Sequence, residues 1–569
     1  MNDDLKEIVR KHALKNAADY GKAAAGSVAS KVFAEAPEAK RDVKATMKLV
    51  NEEVTRANAL SKSEVEKELA KHSFVEKKEA SESEKRFRLE GAVEGGVVTR
   101  FLPEPNGPAH IGHAKAAWLS AEAARQWKGK CLLRWDDTNP EKEKREFADA
   151  IRADLRWLGL EFARESFTSD LMPKLYEFAE KLVAQGDAYV CECSKEEIGK
   201  NREAKRACEC RSRSTKENAA LWRKMRNGET KEGEAILRLK ANLESENTVM
   251  RDPSLFRVIE APHFRQGEKY KAWPTYDFEV SISDSLDGVT HALRSKEYEL
   301  RDELYYYIID KLGLRKPVIY DFSRLEIKGT ALSKRVLRPL IESGKVWGWD
   351  DPRLPTLAGL RRRGILPNVI REFVLSFGLS KVESEPSWTA LLVANKRALD
   401  ATAPHYFFVA EPVKLKVASA PARKIKIRKH PKLELGERAV DSRDEFFLSR
   451  EDAVSLKKGE IFRLKESYNV KAVKKSKAGL EGEYAGEELI PESKKIQWVA
   501  VNEALDAELV IVGDLLNERG EFNEKSLSVR KGKCEAACAQ LRRGDVVQFE
   551  RVGYAILDDE AKRRFILSC

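Results

Sequence analysis

An α/β fold is predicted, built on a parallel sheet, preceded by a helical module and followed by antiparallel β-barrels, on three observations. Residues 1 to about 90 are rich in Ala, Glu and Lys, and the stretch "DVKATMKLVNEEVTRANALSKSEVEKELAKH" keeps apolar positions three and four apart, the period of an amphipathic helix. From Gly95 the texture becomes strand, helix, strand, the opening of a parallel α/β sheet. Beyond about residue 404 it becomes short apolar strands separated by turns, the pattern of antiparallel barrels.

The elements follow in order. A chain of 569 residues exceeds what one hydrophobic core supports, and at roughly 150 residues per domain about four domains are expected. The charge-dense "VEKKEASESEKRFRLEG" reads as an exposed connector closing the helical module at about residue 90. The stretch "GGVVTRFLPEP" reads as a buried strand running into a loop, "HAKAAWLSAEAARQW" as a helix and "KCLLRWDD" as the next strand. Thr138, Asn139 and Pro140 offer a cap and a first-turn proline for a helix over "EKEKREFADAIRADLRWLGL". This first α/β portion, 95–190, is expected to resume over 266–320 after an insertion at 191–265. A helical region, 321–403, contains "LAGLRRRG" and "NVIREFVLSFG", and strands such as "DVVQFERVGYAIL" and "RRFILS" fill 404–569.

Composition narrows the function classes. With 42% hydrophobic and 35% charged residues and no apolar run of the roughly 20 residues a span requires, no membrane segment is expected. No secretory signal is visible, so a cytoplasmic protein is expected. The net charge of +11 makes a polyanionic partner plausible without requiring one. Of eight cysteines, Cys191, Cys193, Cys208 and Cys210 cluster as two C-x-C pairs. In a reducing cytosol that suggests metal before disulfide, and four thiolates suit a tetrahedral structural zinc; the alternative is four reduced thiols without an ion.

Two stretches point to phosphate chemistry. In "PNGPAHIGHAKAA", His110 and His113 begin the helix after the first strand, where such sheets bind ligands and where a helix N-terminus presents free N–H groups. One turn apart, they can donate to phosphate oxygens, and Gly107 and Gly112 would let a phosphate chain approach the backbone. Their bland reading is a helix cap and a surface histidine. In "KGTALSKR", Lys334 adds positive charge on a loop whose Gly329 and Ser333 suggest mobility; alone, it would be a solvated basic loop.

Together, "HIGH" at 110–113 and "ALSKR" at 331–335 resemble the two signature motifs of class I aminoacyl-tRNA synthetases. The blocks "TRFLPEPNGPAHIGHAKAA", "LRWDDTNP", "PTYDFEVSISDSLDGVTHALRSKEY", "GWDDPRLPTLAGLRRRG" and "NKRALDATAPHYFFV" resemble glutamyl-tRNA synthetases of the archaeal and eukaryotic type and the related glutaminyl enzymes. The resemblance implies a class I Rossmann-type catalytic domain, a helical stem-contact region and C-terminal β-barrels that bind the anticodon. It implies activation of an amino acid by ATP with Mg²⁺, then transfer to the tRNA for glutamate. It leaves open whether the tRNA for glutamine is charged too, and a monomer is expected.

Site roles follow from the same resemblance. His110, Gly112, His113, Ser333 and Lys334 serve the triphosphate, and the main chain around Arg324 and Leu325 holds adenine. Asp136 meets the α-ammonium of the amino acid, with Asp137 structural, and Tyr276 lines the side-chain pocket. Arg294, where glutaminyl enzymes carry a small uncharged residue, would join Arg100 so that two arginines serve two carboxylates; its bland reading is a surface arginine paired with Glu297. The insertion carries the cysteine cluster near the acceptor stem and is too short for an editing domain. Lys424, Lys426 and Arg428 form one basic strand face for tRNA phosphates, or else a solvated edge. A glutaminyl enzyme, a tRNA-binding scaffold without catalysis and a queuosine-modifying relative are the competing readings; the last lacks anticodon-binding barrels and suits this length badly.

Overall fold

The computed structural model describes residues 3–69, 87–383, 385–476 and 479–569. They fall into two compact units, Met1–Arg86 and Phe87–Cys569. Most of the expected connector, residues 75–86, lies outside the described residues. The first unit is helical: Asp3–Tyr20, Ala25–Glu35, Val43–Asn58 and Lys62–Leu69 pack around Val9, Leu14, Val28, Val32 and Val50. Ala13, Ala17, Ala29 and Ala57 stand at the contacts, where a small side chain lets helices approach closely. Among the described residues no helix is long and apolar enough to cross a membrane.

The second unit opens with parallel strands Val98–Phe101, Lys130–Trp135 and Arg164–Phe167, hydrogen-bonded in that order. A second parallel pair, His291–Ser295 and Val318–Phe322, abuts the first strand, where Thr290 N donates to Val98 O at 2.8 Å. Spatially the strands run 164, 130, 98, 291, 318, so the order reverses at Val98–Phe101. In such sheets the crevice beyond the C-terminal ends at the reversal is where ligands bind. Helix Ile111–Gln126 leaves from that point.

Several elements differ from expectation. The helix expected from Pro140 begins only at Arg145. The Thr138 hydroxyl goes to Asp136, Glu143 accepts from Asn139 N, and Lys144 N donates to Pro105 O, so these groups hold a loop rather than a first turn. The insertion's antiparallel sheet comprises Ala188–Cys191, Ile236–Leu239, Ser254–Val258 and Ala272–Pro274, and so reaches beyond 191–265 at both ends. The apolar runs "AYVC" and "AWP" can bury both faces only by pairing with it.

The C-terminal region holds two seven-stranded sheets. One takes His405–Tyr406 and Phe408–Ala410 at its two edges, one residue apart in sequence, so the sheet must curl round on itself. The other has Lys494–Ile496 and Val499–Ala500 at its edges and curls likewise. The second lies wholly between Val413 and Ala500, within the chain of the first, which resumes at Leu505. Among the described residues four strand pairings here are parallel, so the sheets are mixed rather than purely antiparallel. Returning strands from distant parts of the chain fill the edges.

The candidate active site

At the reversal point the helix N-terminus carries both histidines. His110 is its N-cap: His110 Nδ1 accepts from Gly112 N at 3.1 Å, and His113 Nδ1 accepts from His110 N at 3.1 Å. Each ring therefore has Nδ1 occupied as an acceptor and carries its proton on Nε2. Burial, then neighbouring charge, holds His110 well below the usual imidazole range and His113 down to about 4. At neutral pH the pair is two uncharged Nε2–H donors, ring centroids 3.9 Å apart. The helix-cap reading is thus true of His110 and leaves its outer nitrogen free for a ligand.

The two glycines also make room for side chains. A Cβ on Gly112 would stand 2.9 Å from His110 Cε1, and one on Gly107 would stand 2.7 Å from Lys334 Cε. Their bareness admits the capping imidazole and the lysine. Lys334 begins helix Lys334–Glu342, with Ser333 as its N-cap, and hydrogen-bonds Asn106 Oδ1. The signature loop is tethered at the glycine expected to free it. Gly329, at φ +82°, accepts from Leu516 N at 3.1 Å and lies against Asp514. Leu515 completes the small core beneath this helix with Leu337, Val346 and Leu354. No sequence signal marks residues 514–516 as neighbours of the loop.

A cavity of about 410 Å³ runs from this helix end along the strand tips. Arg100, His110, Gly112, His113, Asp136, Tyr276, Arg294, Arg324, Leu325 and Ser333, all expected in the site, line it together. A second cavity, about 460 Å³, opens on the other side of Asp136 toward Glu143, Arg257 and Arg301. Asp136 accepts from Thr138 Oγ1 at 2.9 Å, and burial, then the nearby Glu104 charge, pushes its pKa up to about 6. Asp137 is fully buried and accepts from Ser169 N and Oγ at 2.8 and 2.6 Å, a structural role.

The two arginines differ. Arg100 gives Nε and Nη2 to Asp284 at 3.0 and 3.1 Å and Nη1 to Leu293 O at 2.8 Å. Arg294 is 3% exposed, yet none of its three side-chain nitrogens is hydrogen-bonded among the described residues. Asp302 Oδ1 lies 3.2 Å from Nη1 without the alignment of a hydrogen bond, and the rings of Tyr276, Tyr298 and Tyr305 flank the guanidinium at 5.3 to 5.8 Å. Glu297 is not its partner and pairs with Arg324 at 2.5 Å. A buried cation with uncommitted donors is costly unless a ligand completes it, and planar guanidinium suits a carboxylate.

Elsewhere, the sulfurs of Cys191, Cys193, Cys208 and Cys210 all lie within 4.8 Å of one another, with Cys191–Cys208 at 3.8 Å and Cys193–Cys210 at 4.0 Å. A tetrahedron with Zn–S of about 2.3 Å has edges of about 3.8 Å. Lys424, Lys426 and Arg428 are exposed on strand Arg423–Arg428, which pairs with Glu437–Ser442. Asp441 and Glu437 stand across from the first and last of them.

The comparisons agree with this geometry. The family model for the catalytic domain of class I tRNA synthetases (E and Q) matches residues 96–401, and the anti-codon binding domain models of the same group match 403–486 and 495–558. The glutamate–tRNA ligase of Nitrosopumilus maritimus is 42% identical over 569 residues, covering 99% of this chain and 100% of that protein. Those of Cenarchaeum symbiosum and Pyrococcus furiosus are 40% and 37% identical, each covering 97% or more of both chains. Together with the signature helix and loop meeting over one cavity, these matches make the chain a member of the class I tRNA synthetases of the E and Q group.

Proposed function

We propose that this chain ligates L-glutamate to the tRNA for glutamate through a glutamyl-adenylate, and that it strongly prefers glutamate to glutamine. The observation that carries the amino-acid choice is Arg294, a buried guanidinium in the wall of the cavity whose three nitrogens make no hydrogen bond among the described residues, although Asp302 lies 3.2 Å from Nη1. Glutamate brings the carboxylate that completes it, and glutamine does not. Asp136 takes the α-ammonium, Tyr276 walls the side chain, and Arg100, oriented by Asp284, offers its remaining hydrogens.

One α-carboxylate oxygen attacks the α-phosphorus of ATP; the bond from that phosphorus to the bridging oxygen breaks, and its electron pair leaves with pyrophosphate. The attacking carboxylate is already ionised, so catalysis consists of placement and charge stabilisation. His110 and His113 donate Nε2–H to the phosphates, Lys334 meets the charge that develops on pyrophosphate, and the chain around Arg324 and Leu325 holds adenine. The triphosphate would bring Mg²⁺ with it, which would supply charge neutralisation. His110, His113 and Lys334 are nitrogen donors and would not themselves ligate a hard cation. A ribose hydroxyl of the 3′-terminal adenosine then attacks the acyl carbon, the bond from that carbon to the phosphate oxygen breaks with its electron pair leaving on AMP, and the hydroxyl proton is released.

The four cysteines hold a structural zinc that pins the insertion, and the 423–428 strand meets tRNA phosphates. The protein acts in the cytoplasm as a monomer. Charging purified tRNAs for glutamate and glutamine with each labelled amino acid tests the reading. Glutamate on the first tRNA is the expected product, and charging of the second decides whether the enzyme serves both.

A further inference from the structure

Lys115 is a buried cation that the mechanism above does not use. It is 1% exposed, lies on the helix that carries His110 and His113, and borders the cavity. Its ammonium donates to Ser323 O at 2.6 Å and to Ser323 Oγ at 3.1 Å, with the rings of Phe322 and Phe377 at 5.6 and 5.4 Å. Among the described residues no carboxylate pairs with it, and burial alone pushes its pKa down to about 8. An ammonium kept dry without a counter-ion costs more than a neutral side chain would in the same place.

The location of its acceptor gives that cost a use. Ser323 follows strand Val318–Phe322 and immediately precedes Arg324 and Leu325, the segment assigned to adenine. Its N–H is spent on Ser380 O at 2.8 Å, so the lysine secures the other side of the same residue. One buried side chain thereby ties the phosphate-binding helix to the adenine-binding turn across the sheet reversal, and sets the spacing between the two ends of one nucleotide.

We propose that Lys115 is a positioning residue for ATP, holding the Ser323 carbonyl so that the 323–325 main chain faces the purine while the helix N-terminus faces the phosphates. The inference rests on the ATP site of the proposed function. A charge-assisted pair of hydrogen bonds to one residue is the strong kind, and a misplacement of about 1 Å in such a site costs about a hundredfold.

The test is glutamate-dependent exchange of labelled pyrophosphate into ATP, with the tRNA for glutamate present, by the full chain carrying Lys115→Met or Lys115→Gln. The methionine variant keeps the volume and removes both bonds; the glutamine variant keeps one neutral donor and suits a buried site better. KM for ATP should rise about 10- to 100-fold in the first and about fivefold in the second, while KM for glutamate stays within about twofold. The preference for ATP over inosine triphosphate should shrink in step, which a general loss of folding would not produce. An ATP KM within twofold of wild type in the methionine variant overturns the proposal; if that variant does not fold, the same result in the glutamine variant does. A parallel rise of both KM values also overturns it. Wild-type protein without glutamate-dependent exchange would instead refute the function on which it rests.

Discussion

Replacing Arg294 by Cys removes a buried guanidinium of the pocket that makes no hydrogen bond among the described residues, and the structure sets the size of the effect. The guanidinium is 3% exposed and makes no hydrogen bond among the described residues, with Asp302 Oδ1 3.2 Å from Nη1 as its nearest charge, so a substrate carboxylate would make two charge-assisted hydrogen bonds away from water. At about 1.5 to 3 kcal/mol each, they contribute about 3 to 6 kcal/mol, or roughly 10² to 10⁴ in kcat/KM. Glutamine offers one amide oxygen in their place and turns its NH₂ toward N–H donors. That leaves a buried donor unsatisfied, and rejection of this kind reaches about 10⁴-fold without editing. Wild type should therefore charge glutamate far better than glutamine. Arg294→Cys should lose most of its glutamate activity, change little toward glutamine, and reduce or reverse the preference. Initial rates of tRNA charging with the two labelled amino acids at subsaturating concentrations measure the ratio. A wild type that prefers glutamine, or a cysteine variant that rejects glutamine as well as wild type does, refutes the reasoning.

Other outcomes follow from the same geometry. Because the Asp136 pKa is raised to about 6, kcat/KM for glutamate should fall about tenfold per pH unit below 6 as the carboxylate that meets the α-ammonium is neutralised. An unchanged acid limb in Asp136→Asn would assign that limb elsewhere. His113 should not contribute near its ordinary pKa, since it stays neutral in the fold down to about 4. Elemental analysis should find about one zinc per chain, lost in Cys208→Ser with Cys210→Ser and released in acid as the thiolates protonate; metal-free protein of full activity would exclude it. Lys426→Glu with Arg428→Glu should weaken tRNA binding and reduce its salt slope by about the number of phosphates they meet, and an unchanged slope would mark this strand as solvated.

Features set by neighbours within a turn or a strand were legible in the sequence. The histidine pair and the alternation of Lys424, Lys426 and Arg428 follow from spacing, because the helical and strand periods bring those side chains to one face; the two C-x-C pairs are legible as pairs, but the chain fold brings 191–193 to 208–210. Arg294 could be singled out by resemblance, but its value as a free donor could not, since pairing with nearby Glu297 was the simpler local reading and Arg324 takes that partner instead. Lys115 carries a weaker local signal: between His113 and Ser120 it is the one polar residue of the helix, flanked by Ala114, Ala116 and Ala117. Partners far apart in sequence left no such mark. Thr138 and Asn139 answer to Asp136 and Glu143 rather than to a helix start, strands 188–191 and 272–274 join the insertion by edge pairing, one barrel sits within the chain of the other, and residues 514–516 clasp Gly329. Local sequence specifies which face a side chain takes, whereas burial and long-range hydrogen bonding decide what that face meets.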